Sequence, residues 1–291
     1  MIRALQAGDA LLDDVHGADP DPGLLHLWWV GQAGFLVAWR TRHLLLDPYL
    51  SDSLTRKYAD TDKPHERMTE LVVEPARLSL VDVVTSSHAH TDHLDPDTLR
   101  ALLTARPDLE TVAPEAHRDL VAERAGVAGE RPLGLDDGQS VGAGGFSFTA
   151  VPAAHEEIER DAQGRMLHLG YVVRCGPFTL YHAGDTIPYE GMAERVREAA
   201  DPGGIDVALL PINGRVPERR VAGNLWGDEA ATVARDIGAR LAIPMHFELF
   251  TFNSEPPDAF VEACTRLRQP HRVLRAGERL TVAQPEYSEP R

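Results

Sequence analysis

From Leu24 onward the chain reads as short apolar runs separated by turn formers. LHLWWV (25–30), FLVAWR (35–40) and HLLLD (43–47) are dense in aliphatic and aromatic residues and are punctuated by Gly-Gln-Ala-Gly and Arg-Thr-Arg, the pattern of a hairpin meander. Further strands are predicted at 81–85, 146–152, 169–175, 178–183, 206–212, 240–246 and 272–282. Between them apolar positions recur at spacings of three and four. In DPDTLRALLTARP, Leu99, Leu102 and Leu103 share one face, Asp95 suits the cap and Pro96 the first helical position. Similar spacing predicts helices over 114–125, 189–200, 227–239 and 257–269. Strands come both as hairpins and in alternation with helices, so the expected class is α/β: a sheet-rich core covered by helices. Residues 1–23, dominated by Asp, Gly and Pro from Asp13 on, read as a loosely structured lead-in, and 24–291 as a single domain.

Two stretches echo each other. FLVAWRTRHLLLDPY (35–49) and YVVRCGPFTLYHAGDT (171–186) both run strand, turn, strand, aspartate, and each is followed by an acid-primed strand, VDVVTSSH (81–88) and IDVALLPIN (205–213). The pattern fits a duplication whose halves pack their sheets face to face, and equally the general likeness of hairpins.

With 43% hydrophobic residues in 291, the chain can bury a sizeable core. A formal charge of -16 leaves little attraction for phosphate backbones or anionic membranes, so neither nucleic acid nor membrane insertion is expected. Cys175 and Cys264 are the only cysteines and form neither a disulfide framework nor a Cys-x-x-Cys motif, which fits a reducing, cytoplasmic setting. The N-terminus lacks the apolar stretch of a secretion signal.

Chemistry concentrates in SSHAHTDHLDP (86–96), directly after the strand VDVVT. Four ligand-type residues, His88, His90, Asp92 and His93, fall within six positions in a loop between strand and helix, where a scaffold presents functional groups. Alternation points His88 and His90 the same way, toward one metal ion, while Asp92 and His93 sit at a turn that can direct them to a second. Capping and turn formation account for aspartates in such a loop, but not for the whole cluster.

His-x-His-x-Asp-His after such a strand resembles the metallo-β-lactamase superfamily, which implies a four-layer αβ/βα sandwich with a metal site at one edge of the paired sheets. The family also expects a histidine after a later strand, an aspartate after a hairpin and a final histidine near the C-terminus; His155 in FTAVPAAHEE, Asp185 in FTLYHAGDT and His246 in LAIPMHFELF occupy such places. The resemblance implies that His88, His90 and His155 hold one divalent ion, Asp92, His93 and His246 another, and that Asp185 bridges them. Zinc and manganese suit the donors best, with iron also suitable. It further implies a hydrolase in which a metal-bridging hydroxide attacks an ester-type bond, with Asp92 and Asp185 catalytic. His182 is read as structural, and Asp47 as a carboxylate supporting a ligating histidine.

WWVGQAGFLV, LLLDPYL, YHAGDT, IDVALLPING and IPMHF, over roughly residues 25–282, resemble the branch that contains L-ascorbate-6-phosphate lactonase and, more distantly, phospholipase D enzymes acting on N-acylphosphatidylethanolamine. The lactonase lacks a histidine at the place of His155, so its substrate is not carried over. The branch points to a lactone, phosphoester or phosphodiester of a small molecule. A thioester hydrolase and a non-haem iron sulfur dioxygenase share the histidine cluster, and a metal-binding module without turnover is the remaining reading. Flavin-coupled di-iron reductases carry Glu where this chain has His90, and nucleases of this fold carry added domains or basic arms. For substrate the expectation falls on Asn213, Arg215, Asn224 and Trp226, with Tyr49 and the 156–168 segment bordering the pocket. A homo-oligomer is compatible with the sequence.

Overall fold

The computed structural model describes residues 1–284; the end of the expected domain at residue 291 lies outside them. The strands form two sheets. In chain order they are β1 (Leu24–Gly31), β2 (Gly34–Trp39), β3 (Arg42–Leu46), β4 (Val83–Thr85), β5 (Glu110–Pro114) and β6 (Leu133–Leu135), then β7 (Ser140–Ala143), β8 (Phe146–Pro152), β9 (Leu169–Cys175), β10 (Phe178–His182), β11 (Val207–Pro211), β12 (Leu241–Met245) and β13 (Arg279–Ala283). One sheet runs β13-β1-β2-β3-β4-β5-β6 and the other β12-β11-β10-β9-β8-β7. Both are mixed, with antiparallel hairpins leading into parallel crossovers. Every residue of β10 and β11 is buried, as expected of strands covered on both faces. The edge strand β13 instead alternates exposed and half-buried residues.

The helices are α1 (Asp9–His16), α2 (Ser53–Lys57), α3 (Pro96–Ala105), α4 (Arg118–Ala125), α5 (Met192–Ala200), α6 (Gly227–Asp236) and α7 (Asp258–Leu267). Helices α3 and α4 pack together, and α4 meets β5. On the other sheet α5 covers β8 and β9, while α6 lies on β11 and β12 with α7 against it. The result is a helix, sheet, sheet, helix sandwich. Asp95 caps α3 as its sequence predicts, accepting from the Thr98 amide at 3.0 Å, with Pro96 in the first turn. Among the described residues no helix is long and apolar enough to cross a membrane.

The two echoing stretches occupy equivalent places. β2 and β3 form a hairpin followed by the parallel strands β4 and β5; β9 and β10 form one followed by β11 and β12. The acid that primes each crossover makes the same bonds. Asp82 accepts from the His43 amide and donates its own amide to the His43 carbonyl, both at 2.8 Å. Asp206 does the same with Thr179, also at 2.8 Å. Arginines neutralise both, Arg42 and Arg106 at Asp82 and Arg240 at Asp206. This shared detail exceeds what unrelated hairpins have in common.

Three expectations need correction. Within 1–23 the chain forms α1, whose Leu11, Leu12 and Val15 are buried in the main core; eight residues are too few for a periodic signal to stand out among flanking Asp and Gly. The Trp28 indole fastens it by donating to Asp14 at 2.9 Å. The expected strand 272–282 is regular only from Arg279, because the preceding segment makes an isolated bridge at His271 and then turns. The expected helix 114–125 begins with a separate 3-10 turn, Glu115–His117. Strands β5, β6 and β7, of three to five residues, gave no distinct pattern.

Candidate metal centre

The seven expected ligands leave the C-terminal ends of β4, β8, β10 and β12 and meet at one edge of the sandwich. His88, His90, Asp92 and His93 lie in the loop from β4 to α3, where the His93 and Leu94 amides turn back onto the His90 carbonyl at 3.0 and 2.8 Å. Arg124 of α4 holds this loop by donating to the Ala89 and Leu94 carbonyls at 2.7 and 2.9 Å. His155 follows β8, where Ala154 donates to the Thr186 hydroxyl at 3.0 Å. Asp185 follows β10, and His246 follows β12 with a φ of 62°, its amide bonded to the Gln32 carbonyl at 3.0 Å.

Ligand-type atoms of three groups approach within 4.8 Å of one another: His88, His90 and His155; Asp92, His93 and His246; and His88, His93 and Asp185. Asp185 stands between the first two. One carboxylate oxygen is 3.3 Å from His93 Nε2, and the other is 3.2 Å from His246 Nε2 and 3.6 Å from His155 Nε2. Asp92 Oδ2 is 3.3 Å from His246 Nε2.

The outward-facing ring nitrogens of His88, His93 and His155 have partners, whereas His246 Nδ1 is buried without one. His93 Nδ1 donates to Asp47 at 2.8 Å, and His155 Nδ1 donates to the Gly223 carbonyl at 2.9 Å. In the neutral ring each Nε2 is thereby left as the lone-pair donor facing the cluster. His88 Nδ1 pairs with Ser87 Oγ at 3.0 Å. Inside the cluster His88 Nε2, His93 Nε2 and Asp185 Oδ1 are buried without a hydrogen-bond partner. Buried polar atoms in that condition are costly, and coordination of a cation removes the cost. The donor set of imidazoles and carboxylates fits divalent ions.

Asp47 is fully buried and also accepts from the Ser87 amide at 3.1 Å and the Thr85 hydroxyl at 2.9 Å. Burial opposes its charge, yet His182, His93 and Ser87 together hold its carboxyl below the usual range. Burial likewise opposes a proton on His93, but Asp185 and Asp92 hold its pKa well above the ordinary value. His88, buried and beside His93, is held well below it. His182 donates from Nε2 to the Ala33 carbonyl at 2.9 Å and accepts the Gly184 amide at Nδ1, so both ring nitrogens are engaged in shaping the hairpin end.

The cluster opens into a cavity of about 490 Å³ lined by His90, Asp92, His155, Asp185 and His246 on one part. None of the four expected substrate residues lines it. Arg215 forms a two-point ion pair with Glu229 at 2.6 and 2.7 Å. Buried Asn224 and Asn213 bond to each other at 3.0 Å, and Asn213 donates to Asn253 at the same distance. Trp226 caps α6 and covers Gly214. These residues hold up the loop that presents Gly223 to His155: Glu229 takes up Arg215, and the side-chain amides of Asn213 and Asn224 donate to internal partners, while Asn224 Oδ1 is buried without one. Tyr49 lies behind the cavity, its hydroxyl accepting from the Leu54 amide at 2.9 Å. The 156–168 segment closes on itself through an Arg160 to Met166 bridge and contributes no residue to the cavity wall; only its last residue, His168, reaches the histidine cluster from behind.

Gln32 was missed, and His168 was covered only as the last residue of the 156–168 segment. Gln32 donates to Asp92 Oδ2 at 2.8 Å and stands 3.0 Å from His246 Nε2; in sequence it is one letter of a Gly-Gln-Ala-Gly turn. His168 packs its ring 5.1 Å from His88 and 5.5 Å from His155, brought there by the pairing of β8 with β9. A cleft of similar size, about 540 Å³, between α5 and α6 is lined by Asp228, Glu229 and Asp236 without any histidine, and lacks this donor set.

Residues 42–247 match the β-lactamase superfamily domain. A UPF0173 metal-dependent hydrolase of Opitutus terrae is 32% identical over 267 residues, spanning 89% of this chain and 100% of the relative. One of Methanoculleus marisnigri is 28% identical, spanning 89% and 97%. Among solved structures, the metallo hydrolase Igni18 of Ignicoccus hospitalis superposes with a TM-score of 0.63 at 21% identity, over 90% of this chain and 100% of its own. Isothiocyanate hydrolase from Delia radicum gut bacteria superposes with a TM-score of 0.67 at 16% identity, over 89% and 100%; both likenesses are of fold. With the matched domain extending over most of the chain, and the Opitutus relative aligned along its whole length, the protein belongs to the metallo-β-lactamase superfamily and, within it, to the UPF0173 family of metal-dependent hydrolases.

Proposed function

We propose that the protein hydrolyses an ester-type bond of a small molecule, a lactone, phosphoester or phosphodiester, at a centre holding two divalent metal ions. The observation that carries this reading is the convergence of seven ligand-type side chains in two triads with Asp185 between them. His88, His90 and His155 would hold one ion, Asp92, His93 and His246 the other, and Asp185 both; zinc, manganese or iron suits these donors. When bound, such ions lower the pKa of water and polarise the oxygen of the bond under attack. The protein residues supply placement and proton handling. Gln32 fixes Asp92 Oδ2, so that Asp92 accepts a hydrogen bond from the attacking water and carries its proton to the leaving oxygen. Water thus adds OH to the acyl or phosphoryl centre and H to the oxygen released as the C–O or P–O bond breaks. Asp47 and Gly223 keep the His93 and His155 rings in the orientation that metal binding requires.

The test is metal analysis of the purified protein with a hydrolysis screen of lactones, phosphodiesters, phosphoesters and thioesters. Asp185→Ala and His90→Ala are expected to lower turnover by about a hundred- to a thousandfold, the scale of removing a principal electrostatic element, while circular dichroism stays native. Turnover that survives exhaustive chelation overturns the reading, as does oxygen consumption with a persulfide in place of hydrolysis.

A further inference from the structure

The part of the cavity wall away from the histidine cluster is aromatic. Tyr58, His65, Phe250 and Phe252 all line it, and they are packed on one another. Tyr58 and His65 stack with centroids 4.1 Å apart and planes at 16°. His65 lies 4.5 Å from Phe252 and 5.1 Å from Phe250. The rings come from two distant segments, one after β3 and one after β12. Backbone bonds tie those segments together: Met68 donates to the Leu249 carbonyl at 2.7 Å and Thr251 to the Glu66 carbonyl at 3.1 Å. The Thr55 hydroxyl fixes the His65 carbonyl at 2.8 Å. The wall is therefore held in place by the backbone and does not depend on a ligand to assemble.

His65 Nδ1 donates to the Lys63 carbonyl at 3.2 Å, and burial keeps the ring's pKa below the ordinary value. Among the cations at this side, Lys63 is spent on the Glu218 and Arg219 carbonyls, Arg220 on Asp62, and Arg124 on the ligand loop. Lys57 lines the cavity with its ammonium 5.1 Å from the Tyr58 ring and makes no ion pair among the described residues.

We infer that the substrate carries a planar aromatic group, which packs against Phe252, His65 and Tyr58 while the bond to be cut lies at the histidine–aspartate cluster, and that Lys57 meets a negative substituent on that group. A cavity of about 490 Å³ accommodates one small molecule spanning both parts. Aromatic contact of this kind rewards a flat ring over an aliphatic chain, and an uncommitted ammonium beside it rewards an acid. The inference rests on the hydrolase reading for the position of the reacting bond, but the wall can be tested without turnover.

Equilibrium binding of phenylphosphonate and methylphosphonate to the purified metal-loaded protein isolates the ring, since both probes share one head group. Phenylphosphonate is expected to bind about tenfold more tightly, the scale of a good aromatic contact, and Phe252→Ala is expected to remove that preference. Phe252→Leu, which keeps most of the bulk, guards against loss of folding and is expected to retain only part of it. 4-Carboxyphenylphosphonate is expected to bind tighter still, an advantage lost in Lys57→Gln. Equal affinity for the phenyl and methyl probes, or a preference that survives both Phe252 variants, overturns the aromatic assignment. A Lys57→Gln protein that still favours the carboxylated probe overturns the role of Lys57. A clear phenyl preference in a protein that hydrolyses no ester supports the wall and sinks the hydrolase reading alone.

Discussion

Asp47 shows how a single side chain acts at a distance from the chemistry. It stands in the left-handed region, with φ 36°, which Asp tolerates better than most residues, and from there it accepts three hydrogen bonds, including that from His93. Asp47→Ala is expected to weaken metal binding about 10–100-fold, the scale of losing such a support, measured by equilibrium dialysis; unchanged affinity would remove Asp47 from the site. His168 sets a pH dependence. Burial first, then the neighbouring His155 and His90, push its pKa down to about 3. A folded value below the unfolded one means that the unfolded chain binds more protons, so this group costs stability as pH falls from about 6.5 toward 3 and costs nothing above that window. In the metal-free protein, His168→Gln is therefore expected to lose less stability than the parent between pH 7 and pH 5 in urea denaturation. Parallel losses would mean that His168 is not the group concerned.

At the scale of elements, the ends of the strands do the positioning. The four segments that carry the candidate ligands follow β4, β8, β10 and β12; Asp82 sets β4 in register, and the equivalent Asp206 sets β11, against which β12 pairs. The short helix α1 belongs to this framework because it closes one side of the core. Leu11 is fully buried, and Leu11→Ala is expected to cost about 2–5 kcal/mol, the range for emptying a packed site. Urea titration checks this, and a cost near zero would restore 1–23 to the status of a dispensable lead-in. The legible elements were those with enough residues to show a period, such as α3 with its cap and β8 and β9 with their apolar runs. Helix α1 is masked by flanking Asp and Gly, and strands β5 to β7 carry no distinct apolar run, so their place is decided by what they pair with.

For the whole molecule, the cluster fastens the two sheets to each other, because His88 to His93 come from one and His155, Asp185 and His246 from the other. An ion held by both binds the folded chain and finds no preformed site in the unfolded one, so removal of metal is expected to lower the midpoint of thermal unfolding and its return to restore it; calorimetry with and without chelator decides. The linear order of residues already carries the candidate ligand types, since coordination chemistry restricts which side chains serve and the loop after VDVVT places four of them within six positions. It also determined the class of fold, because hairpins followed by crossovers leave a recognisable rhythm. Which side chains serve the site is settled by folding. Arg215 and Asn224 look like binding groups until Glu229 and Asn213 are seen to occupy them, while Gln32, His65 and Phe252 gain their roles from neighbours more than thirty positions away. The physical reason is that a side chain's chemistry is local, whereas its availability depends on partners that folding alone brings near.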